Sequence, residues 1–215
     1  MIRGHIRDSF KDDRLKTLIQ KLSQQYNTTI YLHTWNILQS DKSWRQIKKD
    51  DTEVTKEMIL TYFDSIPLKM IQIENEDEIE LNGNLEGKIS ISLCPVICWK
   101  NMWYGMNEII NNVSDPAETT ILNIRYDIFT NKNRLFTIPS ITKLVELHFN
   151  KYMYSNAFIS KEPKIGIDNL ILGSVYSMRN LIQHFHSDLD EILKRFPEEI
   201  HQEYIVIKEN HRLTK

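Results

Sequence analysis

Arg125 and Asp127 stand one residue apart at the end of the apolar run Ile121-Leu122-Asn123-Ile124. On a strand, that spacing sends both side chains to one side. A carboxylate there can hold a divalent cation, and a guanidinium beside it can meet the diphosphate of a nucleotide. The same two residues also make an ordinary ion pair at a strand end. Arg3, Gly4, His5 and Arg7 form a second group near the start of the chain. Gly4 lets a backbone come close to a ligand, and the basic side chains suit phosphate or a base carbonyl, though a basic surface strand has the same composition. Thr34 and Trp35 follow a β-branched and aromatic run, where Trp35 either stacks on a base or packs in the core. Asp168 sits between Gly166 and Gly173 ahead of an apolar segment, as a general base or as a turn or cap residue. His184 and His186 flank Phe185. At i and i+2 on a helix they diverge, so one at most can ligate an ion.

Several common chemistries lack their residues. The six glycines form no GxGxxG, and Gly87-Lys88 is followed by Ile89 where a phosphate-binding loop of the Walker type needs Ser or Thr. GxSxG and HExxH are absent. Cys94 and Cys98 supply at most half the ligands of a structural zinc site, and a reduced, cytoplasmic setting accounts for them simply. With 27 Lys and Arg against 29 Asp and Glu, the net charge of −2 gives no electrostatic footprint for nucleic acid. No apolar run approaches the ~20 residues of a membrane span, and the first residues are too polar for a secretory signal.

The elements that must position these groups alternate along the chain. Residues 1–7 form a short strand candidate. Leu15, Leu18, Ile19, Leu22 and Tyr26 recur at helical spacing after it. Strands are expected over 28–35 and 68–73 with a helix over 55–63 between them. Such a β-α-β-α-β run predicts a largely parallel sheet with helices on both faces and ligands at the carboxyl ends of its strands. Asn82-Gly83-Asn84 supplies a turn, and Lys88 to Leu93 reads as a strand. Trp99, Met102, Trp103, Met106, Ile109, Ile110 and Val113 make one helical stripe, with Lys100 and Tyr104 lying off it and available to a substrate. A strand over 119–129, a helix over 141–152, a strand over 157–160, a helix over 174–185 and another opened by Ser187 follow, with residues 203–210 as a last strand. No repeat or linker divides the 215 residues, which are expected to form one domain.

In their order along residues 1–190, the segments RGHIR, LHTW, WKNMWYG, LNIRYDIF and IGIDNLILGS resemble nucleotide-sugar glycosyltransferases of the GT-A fold, and among these the viral enzymes that glycosylate capsid protein. The resemblance implies an α/β fold of a single domain with a central, mostly parallel sheet. It implies a UDP-sugar donor, a glycan or glycoprotein acceptor, Mn²⁺ or Mg²⁺ as cofactor, and a host-cytoplasm location for a viral member. In that family an Asp-x-Asp motif ending a mid-chain strand holds the metal. Asp127 matches its second Asp, whereas position 125 departs, being Arg.

The resemblance further implies nucleotide binding by Arg3, Gly4, His5, Arg7, Thr34, Trp35 and Arg125, with His186 as a second metal ligand beside Asp127. Asp168 is the expected base for the acceptor hydroxyl if the transfer inverts, with the acidic stretch Glu74 to Glu78 in reserve. A nucleotidyltransferase and a non-catalytic nucleotide- or glycan-binding module are the alternatives. A single glycine in GHIRDSFKDD speaks against the nucleotidyltransferase, whose first loop is ordinarily rich in them.

Overall fold

In the computed structural model the described residues are 1–43, 47–89, 94–130, 136–151, 158–159, 169–196 and 202–213. Six strands form the central sheet: β1 (Ile2–Arg3), β2 (Ile30–Trp35), β5 (Leu68–Glu74), β6 (Thr120–Arg125), β7 (Phe158–Ile159) and β8 (Leu170–Ser174). Their order is β5-β2-β1-β6-β8-β7. The first four run parallel, β8 runs antiparallel to β6, and β7 antiparallel to β8. The chain therefore winds outward from β1 through β2 to β5, then returns to lay β6 on the other side of β1. Such a reversal leaves a crevice at the carboxyl ends of the two strands it separates.

Strand alternation explains the layers. Tyr31 and Ile171 belong to one apolar core, with Trp99, Trp103, Met106, Met178, Leu181 and Phe185 of α3 (Val96–Asn112) and α5 (Val175–Lys194). Ile30, Leu32, Ile124, Leu170 and Leu172 face the other, with Leu15, Leu18 and Ile19 of α1 (Arg14–Gln25), Ile59 and Phe63 of α2 (Lys56–Phe63) and Ile141 and Val145 of α4 (Ile138–Lys151). Helices thus cover both faces of a mostly parallel sheet, as the β-α-β-α-β reading expects. Local signals set two helix starts. The Thr55 hydroxyl accepts from the Met58 amide at 3.1 Å and that of Ser174 from the Ser177 amide at 3.1 Å.

Three expectations need correction, and one pairing was not expected. Residues 203–210 lie in a helix, α6 (Gln202–Leu213), because Ile205, Val206 and Glu209 fall on one buried face at helical spacing. Ser187 opens no new helix. α5 runs through it and bends at Asp188, whose φ of −114° is non-helical. The strand ending in Arg125 gives way at once to a 3-10 turn, Tyr126–Ile128, so Asp127 stands on that turn and not on the strand. Between β2 and α2 the chain makes an unanticipated antiparallel pair, β3 (Ile37–Gln39) with β4 (Asp50–Glu53). Of the expected strand 88–93, Lys88 forms an isolated bridge to Pro95 and residues 90–93 lie outside the described residues. Tyr152, Ala157 and Ser160, which bound the expected elements around α4 and β7, also lie outside them. Among the described residues no helix is long and apolar enough to cross a membrane.

Candidate functional site

The ladder aligns Arg3 with His33 on one side and with Arg125 on the other, so three polar residues stand abreast as β1, β2 and β6 end. Beyond Arg3 the backbone enters the left-handed region twice, at Gly4 (φ 92°) and at Arg7 (φ 54°). Arg7 is a strained position for a residue with a Cβ, and such strain gathers where a loop is held for a purpose. Two bonds hold it. The Thr34 hydroxyl donates to the Gly4 carbonyl at 3.0 Å, and the Arg7 amide donates to the Leu38 carbonyl at 2.9 Å. A Cβ at Gly4 would meet nothing within 4 Å, so open space borders the backbone there.

This loop carries Arg7 to Asp127. The Arg7 Nη1 donates to Asp127 Oδ2 at 2.5 Å, while Arg125 donates through Nε to Oδ1 at 2.7 Å and through Nη2 to Oδ2 at 2.8 Å. Charge-assisted bonds of this kind are short, and the Arg125 fork is bidentate. The Asp127 side chain is 3% exposed, those of Arg7 and Arg125 18% and 17%. The two arginines are half-buried and the carboxylate between them is buried.

Beside the cations stands an aromatic group. The His5 ring lies 6.1 Å from Trp35, and Trp35 lies 4.9 Å from His33 and 6.3 Å from Tyr104. His186, on α5, lies 6.1 Å from Tyr104. Glu74, ending β5, accepts from both neighbours: His33 Nε2 is 2.8 Å from Oε2, and the Tyr104 hydroxyl donates to Oε1 at 3.0 Å. The His33 bond, then that of Tyr104, holds the Glu74 carboxyl below the usual glutamate range against the opposing effect of burial. Burial, reinforced by Arg7 and Arg125, lowers the His5 imidazole to about 3. His5 is therefore neutral at pH 7 and joins the aromatic end of the site to the cationic end.

Some expected ligands serve the frame instead. Thr34 is fully buried and its hydroxyl is spent on Gly4. Trp35 is buried between His33, His5 and Tyr104, which leaves it no face for a base; Arg3 is buried too. Lys100 is equally committed: it pairs with Asp190 at 2.9 Å and with the Asn82 carbonyl, pinning the turn at Gly83 between α3 and α5. His184 points away to Glu209 of α6 at 2.7 Å. Gly4, His5, Arg7, Arg125 and Tyr104 remain at the site's surface.

The metal expectation does not fit the donors present. A divalent cation needs oxygen lone pairs directed at it, and both oxygens of Asp127 already accept guanidinium donors. His186 packs on Tyr104, and among the described residues no three of His, Cys, Asp or Glu gather into a possible metal site. Asp127, expected as a metal ligand, here accepts from two arginines, and His186, expected as the second, packs beside Tyr104.

Asp168 lies outside the described residues. Leu170, two residues on, pairs with Ile124, so β8 starts at the carboxyl end of β6. His33 was missed by sequence reasoning. Its signal was a polar residue between Tyr31 and Trp35 on one face of an otherwise apolar strand. A separate apolar cavity of about 660 Å³, lined by Ile19, Leu22, Ile30 and Ile121, opens at the opposite, amino-terminal edge of the sheet. No family model matches the chain, and comparison with curated proteins and with solved structures returns no match.

Proposed function

We propose that the chain is a glycosyltransferase of the GT-A type, which binds a nucleoside diphosphate sugar along the carboxyl ends of β5, β2, β1 and β6 and moves the sugar to a hydroxyl of a glycan or glycoprotein. One observation carries this reading. His5 lies between an aromatic and carboxylate end, Tyr104 with Glu74, and the half-buried arginines Arg7 and Arg125, at the reversal of strand order between β1 and β6. An apolar, hydrogen-bonding end suits a nucleoside and a guanidinium pair suits its diphosphate. A β5-β2-β1-β6 parallel order followed by an antiparallel β8 is compatible with the fold that the sequence resembles.

In this reading the acceptor oxygen bonds to the anomeric carbon as the bond from that carbon to the diphosphate oxygen breaks, its electron pair leaving on the diphosphate. The guanidiniums receive the growing negative charge. The hydroxyl proton passes to a carboxylate, for which Asp168 is the candidate. Glu74 is the poorer base, since two donors already stabilise its ionised form, and the better acceptor for a ribose hydroxyl or a base N–H.

The test is a panel of nucleotide sugars, read by thermal shift and by nucleotide release with oligosaccharide acceptors. Ligand binding to the folded state raises its melting temperature by mass action. A UDP-sugar is expected to stabilise the chain and to release UDP only when an acceptor is added. Stabilisation without release in any acceptor would make it a binding module, and no stabilisation by any nucleotide or nucleotide sugar would overturn the reading.

A further inference from the structure

We infer that Arg7 and Arg125 bind the diphosphate of the donor without a divalent cation, and that Asp127 is a positioning residue holding the two guanidiniums side by side. This rests on the nucleotide-sugar reading above and concerns the ionic partner of that same ligand.

Three features carry the inference. Asp127 is filled from two elements at once, by Arg7 from the β1 loop and by Arg125 from the end of β6, with three N–H donors on two oxygens. To bind a cation, Asp127 would have to shed donors of the strongest class, and the approaching ion would face both guanidiniums before it reached the carboxylate. The arginine side chains keep 18% and 17% of their surface accessible against 3% for that of Asp127, so a ligand reaches the arginines more readily than the carboxylate. Finally, the loop that presents Arg7 is built with a left-handed arginine, pinned through Leu38, and has open space beside Gly4. A guanidinium pair offers planar forks that match phosphate oxygens, as well as the positive charge that a leaving diphosphate needs. The neutral state of His5 follows in part from the same field, since Arg7 and Arg125 both disfavour its charged form.

Calorimetric titration of UDP into the full chain, in EDTA and in Mn²⁺, tests this. The two affinities are expected to agree within about twofold, a difference well under 1 kcal/mol. Arg125→Gln and Arg7→Gln should each weaken UDP by about tenfold or more in EDTA, as loss of a charged hydrogen bond does, and leave uridine binding unchanged. Asp127→Asn keeps the shape but weakens all three bonds, and is expected to lower UDP affinity equally in the two buffers.

A Mn²⁺-dependent gain of about tenfold or more in the native chain, lost in Asp127→Asn, overturns the inference while leaving the nucleotide reading standing. Undiminished UDP affinity in both arginine variants overturns it as well. Absence of UDP binding in either buffer overturns the nucleotide reading and the inference together. Should Asp127→Asn fail to fold by circular dichroism, the two arginine variants decide alone.

Discussion

Arg7 reaches Asp127 across 120 residues of sequence and thereby ties the loop after β1 to the turn after β6. These are the strands that the reversal of sheet order brings together, so the contact crosses the crevice where an open α/β sheet accepts ligands. A carboxylate placed between two cations lowers their mutual repulsion and fixes their spacing. The pair then presents one surface of set geometry.

Gly105 shows how tightly the floor of the site is built. A Cβ there would come 2.8 Å from His33 Nδ1, and His33 is buried. Alanine favours a helix over glycine by ~1 kcal/mol, but a clash with a buried ring forces α3 away from β2 and typically costs ~1–3 kcal/mol or more. Gly105→Ala is therefore expected to destabilise the chain despite its better helix propensity, as read by the urea midpoint. A midpoint at or above the native value would show that His33 moves freely.

Glu74 separates the two ends of the proposed ligand. Glu74→Gln retains one acceptor oxygen but loses the charge that His33 and Tyr104 address. Uridine affinity should fall by about tenfold, the scale of a charged hydrogen bond, whereas inorganic pyrophosphate, which needs only the arginines, should bind as before. Calorimetry with both probes decides the matter. An equal loss for pyrophosphate would move Glu74 to the phosphate end.

The sheet and its helices were legible because period-2 and period-3.6 patterns report burial, which local sequence records directly. Arg125 and Asp127 were legible as a pair from their closeness in sequence, although the turn after β6, and not strand alternation, brings them together. Arg7 as the third member was not, because a contact at that separation depends on β6 returning beside β1, and no local pattern encodes strand order. Trp35 was read ambiguously, since a buried indole and a stacking platform have identical local sequence; only the packing of His5, His33 and Tyr104 around it distinguishes them. The helix α6 was mistaken for a strand because Tyr204-Ile205-Val206-Ile207 is rich in residues of high β propensity, and its contact with α5 through Glu209 overrides that preference.

Asp168 makes its own forecast. Asp168→Asn keeps size and most hydrogen bonding and removes basicity, so an inverting transfer should lose roughly 10²- to 10⁴-fold in turnover with donor affinity retained. A cap residue would lose little, since Asn and Asp cap alike. Donor affinity and transfer rate measured on the same variant separate the two, and near-native turnover removes Asp168 from the mechanism.

His5 gives the site a pH signature whose sign follows from its surroundings. Burial first, then Arg7 and Arg125, lower its imidazole from 6.5 to about 3, with Asp127 opposing and His33 adding slightly to the effect. The folded chain therefore resists a proton that the unfolded chain accepts. Above the unfolded value of 6.5 His5 is neutral in both states and its contribution is constant. As pH falls below 6.5 the unfolded state gains up to one proton more than the folded state, so stability declines by up to about 1.4 kcal/mol per pH unit until the folded value is reached. His5→Gln should flatten this part of the profile in urea unfolding between pH 6.5 and 4. Bound UDP acts in the opposite direction, since a diphosphate beside Arg7 and Arg125 offsets the charges that disfavour the imidazolium. The His5 ring resonance, followed by NMR, should then titrate at higher pH with UDP than without it. Identical titration curves would place the diphosphate away from His5, and identical stability profiles for the native and His5→Gln chains would show that burial does not hold His5 neutral.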